Sequence, residues 1–405
     1  MAIQPEQVLA QKAEAATALT NGTSSHQAPL DASKLIFTRN PSPRAVPALD
    51  SPEVASQSVC TDHMISVRWT EAHGWEAPEL KPYGPLSLMP TASVLHYATE
   101  CFEGMKVYRG FDGGLRLFRP RNNCNRMVTS SARIALPAFD PAQLEALITA
   151  LVAVDGPRWL PKDRAGSFLY LRPTHIASAA ALGVQRPKET TLFVIACLFP
   201  NMDVSTGLEL LASSEDTVRA WPGGFGYAKV GANYGPSLLA QGDARARGFD
   251  QILWLLGPDA AVTEAGASNF FVVWRARDTG RIQLVTAPLD DRIILPGITR
   301  DSVLSLARER LAAAGEGGLE PIEVVERKFY MRDVVEAVAE GRLMEAFAAG
   351  TAFFIAPVKG IHFRGADLEI PMPADGYANT IKSWLGGIMY GKVSHKWGVV
   401  VEERE

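Results

Sequence analysis

From Asp62 onward the chain alternates apolar and polar positions in short, bounded runs. MISVRWTE repeats with a period of two, as a strand with one buried face does. VYRGFDGGLRLF carries two such runs around Asp112-Gly113-Gly114, which predicts a hairpin. A helix is predicted over 122–135. A second starts at Asp140, with Pro141 in its first position and Leu144, Leu147, Ile148 and Leu151 on one face. SFLYLRPTHI and TLFVIACLF read as buried strands, and GFDQILWLLG, ASNFFVVWRA and RIQLVTAP as three more. LPGITRDSVLSLARERLAAAG predicts a helix with Thr299 as N-cap, Asp301 in its first turn and Gly315 at its end. A last helix is expected over 383–390.

Two breaks interrupt this pattern. Residues 1–45 are rich in Ser, Thr, Gln, Ala and Pro and read as a flexible tail. Residues 201–214 are polar and irregular and read as a linker between a smaller domain over 46–200 and a larger one over 215–405. A chain of 405 residues suits two cores better than one.

Composition narrows the class. Hydrophobic residues at 47% and charged residues at 21% mark a globular chain. The net charge of −4, without a basic run, argues against nucleic acid as partner. No apolar run is long enough to span a bilayer. Cys60, Cys101, Cys124 and Cys197 are far apart in sequence and make neither a disulfide framework nor a zinc motif, so they read as thiols, with Cys197 in the core. No metal site is expected. The N-terminal stretch lacks an apolar signal core, and Glu6, Glu14 and Asp31 precede the first arginine, Arg39. That favours the cytoplasm and leaves the mitochondrion open.

The chemistry concentrates in GGFGYAKVGANYGPSLLAQGDARARGFDQILW. Lys229 stands there among Gly223, Gly224, Gly226, Gly231 and Gly235. A lysine that condenses with a carbonyl needs close backbone approach, which glycine permits; a solvated loop lysine fits the same pattern. In LPGIT, a glycine before a helix start leaves the backbone N–H groups of Ile298 and Thr299 pointing outward, where an anion is favoured.

This segment closely resembles the lysine segment of the branched-chain aminotransferases, in the class IV (fold-type IV) pyridoxal-phosphate family. VTEAGASNFFVVW, LPGITRDSVL and GTAFFIAPV continue the resemblance downstream; LHYATECFEGMKVYRG, LFRPRNNCNRM and LYLRP do so upstream. Several motifs in fixed order over roughly 60–395 are far more specific than one. The resemblance implies an α/β (α+β) subunit with a smaller N-terminal domain and a larger cofactor domain of mixed and antiparallel strands. It implies an active site between domains and a homodimer.

Roles carry over residue by residue. Lys229 would bind pyridoxal 5'-phosphate covalently and move the substrate's α-proton. Glu264 would keep the pyridine nitrogen protonated, Tyr234 would bond the phenolic oxygen, and Arg126 would grip the phosphate with its planar fork. Arg219 would lie near the cofactor. Ile298, Thr299 and Thr351 would sit on the phosphate side. Tyr97, Phe102, Tyr170 and Arg172 would surround the substrate, with Arg172 available to the distal carboxylate of glutamate. Gly350, Ala352 and position 267 would border the substrate carboxylate.

Two departures stand out. Ala267 replaces the threonine of vertebrate enzymes, with Ser268 beside it. Phe353 and Ala356 replace the C-x-x-C pair of mammalian enzymes, so no thiol switch of that kind is expected. The reaction implied moves the amino group of leucine, isoleucine or valine to 2-oxoglutarate, giving branched-chain 2-oxo acids and glutamate. The alternatives are a specialised copy feeding a secondary pathway, a D-amino acid aminotransferase or aminodeoxychorismate lyase on the same fold, and a non-catalytic cofactor-binding protein.

Overall fold

The structure is a computed structural model and describes residues 27–200, 206–312 and 318–404. The chain divides into two compact units. The first gathers Met1–Pro200, Ala228–Ala232 and Val399–Glu405, and the second Asn201–Tyr227 and Asn233–Gly398.

The first unit is built on a ten-stranded sheet. Its central strands are His63–Thr70, Glu189–Leu198, Phe168–Ala177 and Met105–Arg109, each antiparallel to the next. Met105–Arg109 and Leu115–Phe118 form the hairpin the Asp-Gly-Gly turn predicts, with Gly113 at a φ of +82° that favours glycine. Helices Pro120–Arg133 and Pro141–Trp159 cover this sheet. Asp140 caps the second by accepting from the Ala142 amide at 2.8 Å. Leu144, Leu147, Ile148 and Leu151 are fully buried, together with Val107, Leu117, Leu169 and Val194 of the strands. Each such aliphatic side chain contributes about 1.5–3 kcal/mol when removed from water.

The tail reading needs correction where the structure describes it. Residues 1–26 lie outside the described residues, but Ala28 exchanges backbone hydrogen bonds with the 73–75 segment, and Ile36–Phe37 pairs in parallel with Glu79–Leu80. Ala28 and Ile36–Phe37 are therefore sheet edge, with a 3-10 turn over Ala32–Lys34 between them, held by backbone bonds to distant segments that composition does not advertise. Cys60 and Cys197 also meet: their sulfurs are 2.7 Å apart on opposed backbone positions, although 137 residues separate them.

The second unit holds a nine-stranded mixed sheet. Strands Ala261–Ala265, Gln251–Leu256, Leu208–Ala212, Phe354–Phe363, Leu343–Gly350 and Ser268–Arg275 follow one another. A further pairing of Ala261–Ala265 with Ser268–Arg275 closes them into a ring. Val262, Phe270, Val272, Ala346, Ala348, Ala356 and Val358 share one core cluster of this unit. Leu208–Ala212 lies within the stretch read as a linker, yet it is a strand with parallel partners on both sides.

Two helix starts differ from expectation. The helix of LPGIT spans Ile298–Arg310 with Gly297, not Thr299, as its N-cap; Asp301 is in its first turn, and it ends before 315. Thr299 is buried inside the first turn rather than capping it. The last helix spans Tyr377–Met389, because the Glu345 carboxylate accepts from the amides of Tyr377 and Ala378 at 2.7 and 2.9 Å. That cap comes from a distant strand, so nothing local to residue 377 announces it.

Candidate active site

In the first unit, Lys229 is fixed by its backbone. Its amide donates to Ser130 Oγ at 2.8 Å, and its carbonyl accepts from the Phe102 amide at 3.1 Å. Val230 bridges to Cys101, so the lysine segment runs antiparallel to Glu100–Phe102. Gly231 lies close to the Glu100 side chain, where an added Cβ would stand 2.0 Å from Oε1 and the carboxylate would have to move.

The ring of Phe102 organises the side chains. Lys229 Nζ and the Arg172 guanidinium each lie 4.6 Å from its centroid. Arg172 donates to the Tyr170 hydroxyl at 3.0 Å, and Tyr170 stacks on Phe199. Arg172 Nε is buried without a hydrogen-bond partner. Glu100 is pushed above the usual carboxylate range by burial, against the pull of Arg172. The structure thus brings Lys229, Phe102, Tyr170 and Arg172 together. Tyr97 goes elsewhere: the residue is 41% exposed and its hydroxyl donates to the Leu182 carbonyl. Arg126 is buried on the helix Pro120–Arg133 and forks onto Glu103, a residue the sequence does not single out.

In the second unit, Glu264 is 2% exposed and pairs with Arg219, itself buried. Its other oxygen, Oε1, accepts from the Leu295 amide at 3.3 Å and from Asn269 Nδ2 at 3.4 Å. Asn269 also donates to the Leu295 carbonyl at 2.9 Å, and a Cβ on Gly297 would fall 2.1 Å from its Oδ1. Asn269 therefore joins the carboxylate to the helix N-terminus that presents Ile298 and Thr299. It escapes notice in the sequence because asparagine two positions into a strand carries no signature; its register opposite Glu264 is what reveals it.

Tyr234 is half-buried just after the short turn Gly231–Asn233, and Asn233 Nδ2 holds the Phe225 carbonyl at 3.0 Å. Gly226 packs against Ile293, where a Cβ would lie 1.9 Å from the carbonyl oxygen. Gly350, Thr351 and Ala352 form the end of Leu343–Gly350 and the turn after it. Gly350 faces Ser268, since an added Cβ would approach its Oγ to 2.6 Å. Ala267 is exposed in the turn between Glu264's strand and Asn269's.

Among the described residues no cluster of three or more His, Cys, Asp and Glu could hold a metal ion. No helix among them is long and apolar enough to cross a membrane.

The chain is similar to known proteins. Residues 100–361 match the family profile described as "Amino-transferase class IV". The mitochondrial branched-chain-amino-acid aminotransferase of Schizosaccharomyces pombe is 45% identical over 345 residues, 84% of this chain and 78% of the relative. The cytosolic one of Saccharomyces cerevisiae is 43% identical over 384 residues, 93% of this chain and 99% of the relative. Among solved structures, a T.th. branched-chain amino acid aminotransferase complexed with N-(5'-phosphopyridoxyl)-L-glutamate matches with a TM-score of 0.61 at 25% identity, over 83% of this chain and 98% of that one. The chain belongs to the class IV aminotransferases and, within them, to the branched-chain-amino-acid aminotransferase family.

Proposed function

We propose that this protein is a pyridoxal-phosphate-dependent transaminase that moves the amino group of leucine, isoleucine or valine to 2-oxoglutarate. The observation that carries the reading is Lys229. Its backbone is fixed on both sides by Ser130 and Phe102, and its amine lies against an aromatic ring.

The donor set fits the cofactor. A lysine amine suits its aldehyde, a buried carboxylate suits its ring nitrogen, and a helix N-terminus such as the one headed by Gly297, or an arginine such as Arg126, suits its phosphate. When bound, pyridoxal phosphate supplies a carbonyl for the amino group and a ring that withdraws electrons from the substrate α-carbon. The chain supplies the rest. Lys229 would act as the base that takes and returns the proton at the substrate α-carbon. Glu264, held by Arg219, would keep a proton on the ring nitrogen, and Tyr234 would donate to the ring oxygen. Arg126, with its planar fork, would suit the phosphate, as would the amides of Ile298 and Thr299 and the Thr351 hydroxyl. Phe102 and Tyr170 give an aliphatic side chain apolar surface, and Arg172 meets the distal carboxylate when glutamate binds. Gly350, Ala352 and Ala267 leave room at the substrate's own carboxylate. The two halves of the reaction share one pocket, so the same residues must accept both side chains.

We also propose a homodimer. Exposed Leu238 and Leu239 on the helix Ser237–Ala246, and Met89, Leu95 and Leu182 in the first unit, are apolar surface that such a contact would cover. Light scattering of the purified protein tests this.

The activity is tested by the absorbance of the purified protein before and after adding one amino acid without an oxo acid. L-leucine, L-isoleucine or L-valine should convert the cofactor to its amine form, and 2-oxoglutarate should restore it. Lys229→Ala should lower that conversion by roughly 10²–10⁴-fold, the range of a lost general base. Conversion at the wild-type rate in that variant would remove Lys229 from the mechanism. Response to D-amino acids alone would keep the cofactor and overturn the substrate.

A further inference from the structure

Behind the arginine assigned to the phosphate stands a carboxylate buried more deeply than the arginine itself. Glu103 is 1% exposed. Its Oε1 accepts from Arg126 Nε at 2.7 Å, and its Oε2 accepts from Arg126 Nη2 at 2.8 Å. Asn123, one helical turn before Arg126, donates to Oε2 at 2.8 Å, and the Gly104 amide adds a bond at 3.3 Å. The Glu103 amide in turn donates to the Pro173 carbonyl at 2.8 Å. Backbone and side chain of Glu103 are thus both anchored, and the guanidinium is gripped at two nitrogens.

A two-point grip fixes the plane of a guanidinium and the heading of its N–H bonds. An arginine side chain without such a grip must give up considerable rotamer freedom when it binds an anion, and the grip removes that cost beforehand. The neighbour of Glu103 is Phe102, whose amide holds the Lys229 carbonyl and whose ring lies under its amine. One short segment therefore orients both the phosphate-side arginine and the lysine.

We infer that Glu103 is a positioning residue for cofactor binding: it pre-orients Arg126 toward the phosphate and so sets affinity for the phosphate ester in particular. The inference rests on the reading of Arg126 as a phosphate residue. Its opposite is well defined. Glu103 also carries a negative charge beside Arg126, and a negative charge weakens attraction for phosphate. If orientation is its role, removing the charge weakens phosphate binding; if only charge matters, removal strengthens it.

The test compares affinity for pyridoxal 5'-phosphate and for pyridoxal, which lacks the phosphate. The full-length protein is stripped of cofactor and titrated by absorbance and fluorescence as wild type, Glu103→Gln, Glu103→Asp and Arg126→Lys. Glu103→Gln should raise the Kd for pyridoxal phosphate about tenfold, the worth of one charge-assisted hydrogen bond, and leave pyridoxal almost unchanged. Glu103→Asp keeps the charge but shortens the reach, and should lose part of the same preference; it carries the test if the glutamine variant does not fold. Equal losses for both ligands would make Glu103 merely structural and overturn the inference. Tighter phosphate binding by Glu103→Gln would overturn it in favour of simple charge. An unchanged preference in Arg126→Lys would instead remove Arg126 from the phosphate, and the inference would fall with that reading.

Discussion

Among the described residues, Arg126–Glu103 in the first unit and Arg219–Glu264 in the second are arginine–glutamate pairs buried on both sides, and the two are held differently. In the first unit the carboxylate of Glu103 takes a two-point fork from Arg126 and further bonds from Asn123 and Gly104, three of them at 2.7–2.8 Å. In the second unit Arg219 reaches one oxygen of Glu264, while Leu295 and Asn269 approach the other at only 3.3 and 3.4 Å. Long bonds are weak bonds. A buried ion pair is in itself poor evidence of stability, because desolvation offsets most of the attraction. What surrounds the pair says which member works. In the proposed mechanism Arg126 meets the ligand and Glu103 is its clamp, whereas Glu264 meets the ligand and Arg219 is its clamp.

The most severe way to break this comparison is to remove a clamp and leave its partner buried. Arg219→Leu strands the Glu264 carboxylate and should cost roughly 3–5 kcal/mol of stability. The double variant Arg219→Leu/Glu264→Leu should recover most of that loss and remain inactive. Urea unfolding of both variants checks it. A double variant as unstable as the single one would mean that the pair stabilises the fold in its own right.

A milder change addresses the working member alone. Glu264→Gln keeps the shape and removes the charge. The lost charge-assisted hydrogen bond is worth about 1.5–3 kcal/mol, or roughly ten- to a hundredfold in kcat, with the KM for leucine little changed. Wild-type kcat in this variant would show that Glu264 serves only to neutralise Arg219, and the two pairs would cease to be mirror images.

The asymmetry between the pairs is only half legible in the sequence. Periodicity places His63–Thr70, Phe168–Ala177, Glu189–Leu198 and Ser268–Arg275, because each buries a face against a sheet and the apolar residues must repeat accordingly. Motif resemblance picks out Arg126, Glu264 and Arg219, the partner of Glu264. Glu103 and Asn269 are another matter. Glu103 is 23 residues from Arg126, and Asn269 holds Leu295 across 26. A carboxylate or amide that acts on a residue in another element leaves no local spacing to read. The same cause hides the helix start at Tyr377, capped from Glu345, and the edge strand Ile36–Phe37, paired with Glu79–Pro82. Ser237–Ala246 escapes a periodicity reading because Leu238 and Leu239 are adjacent and exposed, giving no helical stripe.

Lys106 sharpens the contrast from the side of a cation set against an aromatic ring. It lies over the ring of Phe168 at 3.9 Å, and burial pushes its pKa down to about 7 from 10.5. The sign follows from proton counting. Below about 7 both the folded and unfolded chains hold the proton, and folding bears the full cost of burying the charge. Between about 7 and 10.5 only the unfolded chain holds it, so stability rises with pH through that window. Lys106→Met should flatten the rise and stabilise the protein below pH 7 by about 1–3 kcal/mol. Denaturation midpoints measured from pH 6 to 10 decide it, where a parallel shift of the two curves would show that the ammonium is well accommodated by the ring.

The smallest effect is expected next to the Glu264 strand itself. Ala267 lies exposed in the turn joining Ala261–Ala265 to Ser268–Arg275, after Gly266 at a φ of +56°. Ser268, the next residue, already brings a hydroxyl against Gly350, at the edge proposed to meet the substrate carboxylate. Ala267→Thr therefore adds a second hydroxyl where one stands. At an exposed turn the change in stability should stay within about 0.5 kcal/mol. One neutral hydrogen bond contributes about 0.5–1.5 kcal/mol, so the KM for leucine and for 2-oxoglutarate should fall by no more than roughly tenfold, with kcat unchanged. Steady-state kinetics on both substrates separate the possibilities. A fall in both KM values places position 267 at the carboxylate that the two substrates share. A fall for leucine alone places it at the side chain. A large change in kcat would mean that the turn reaches Glu264 through its strand, and that the second pair is held less firmly than the first.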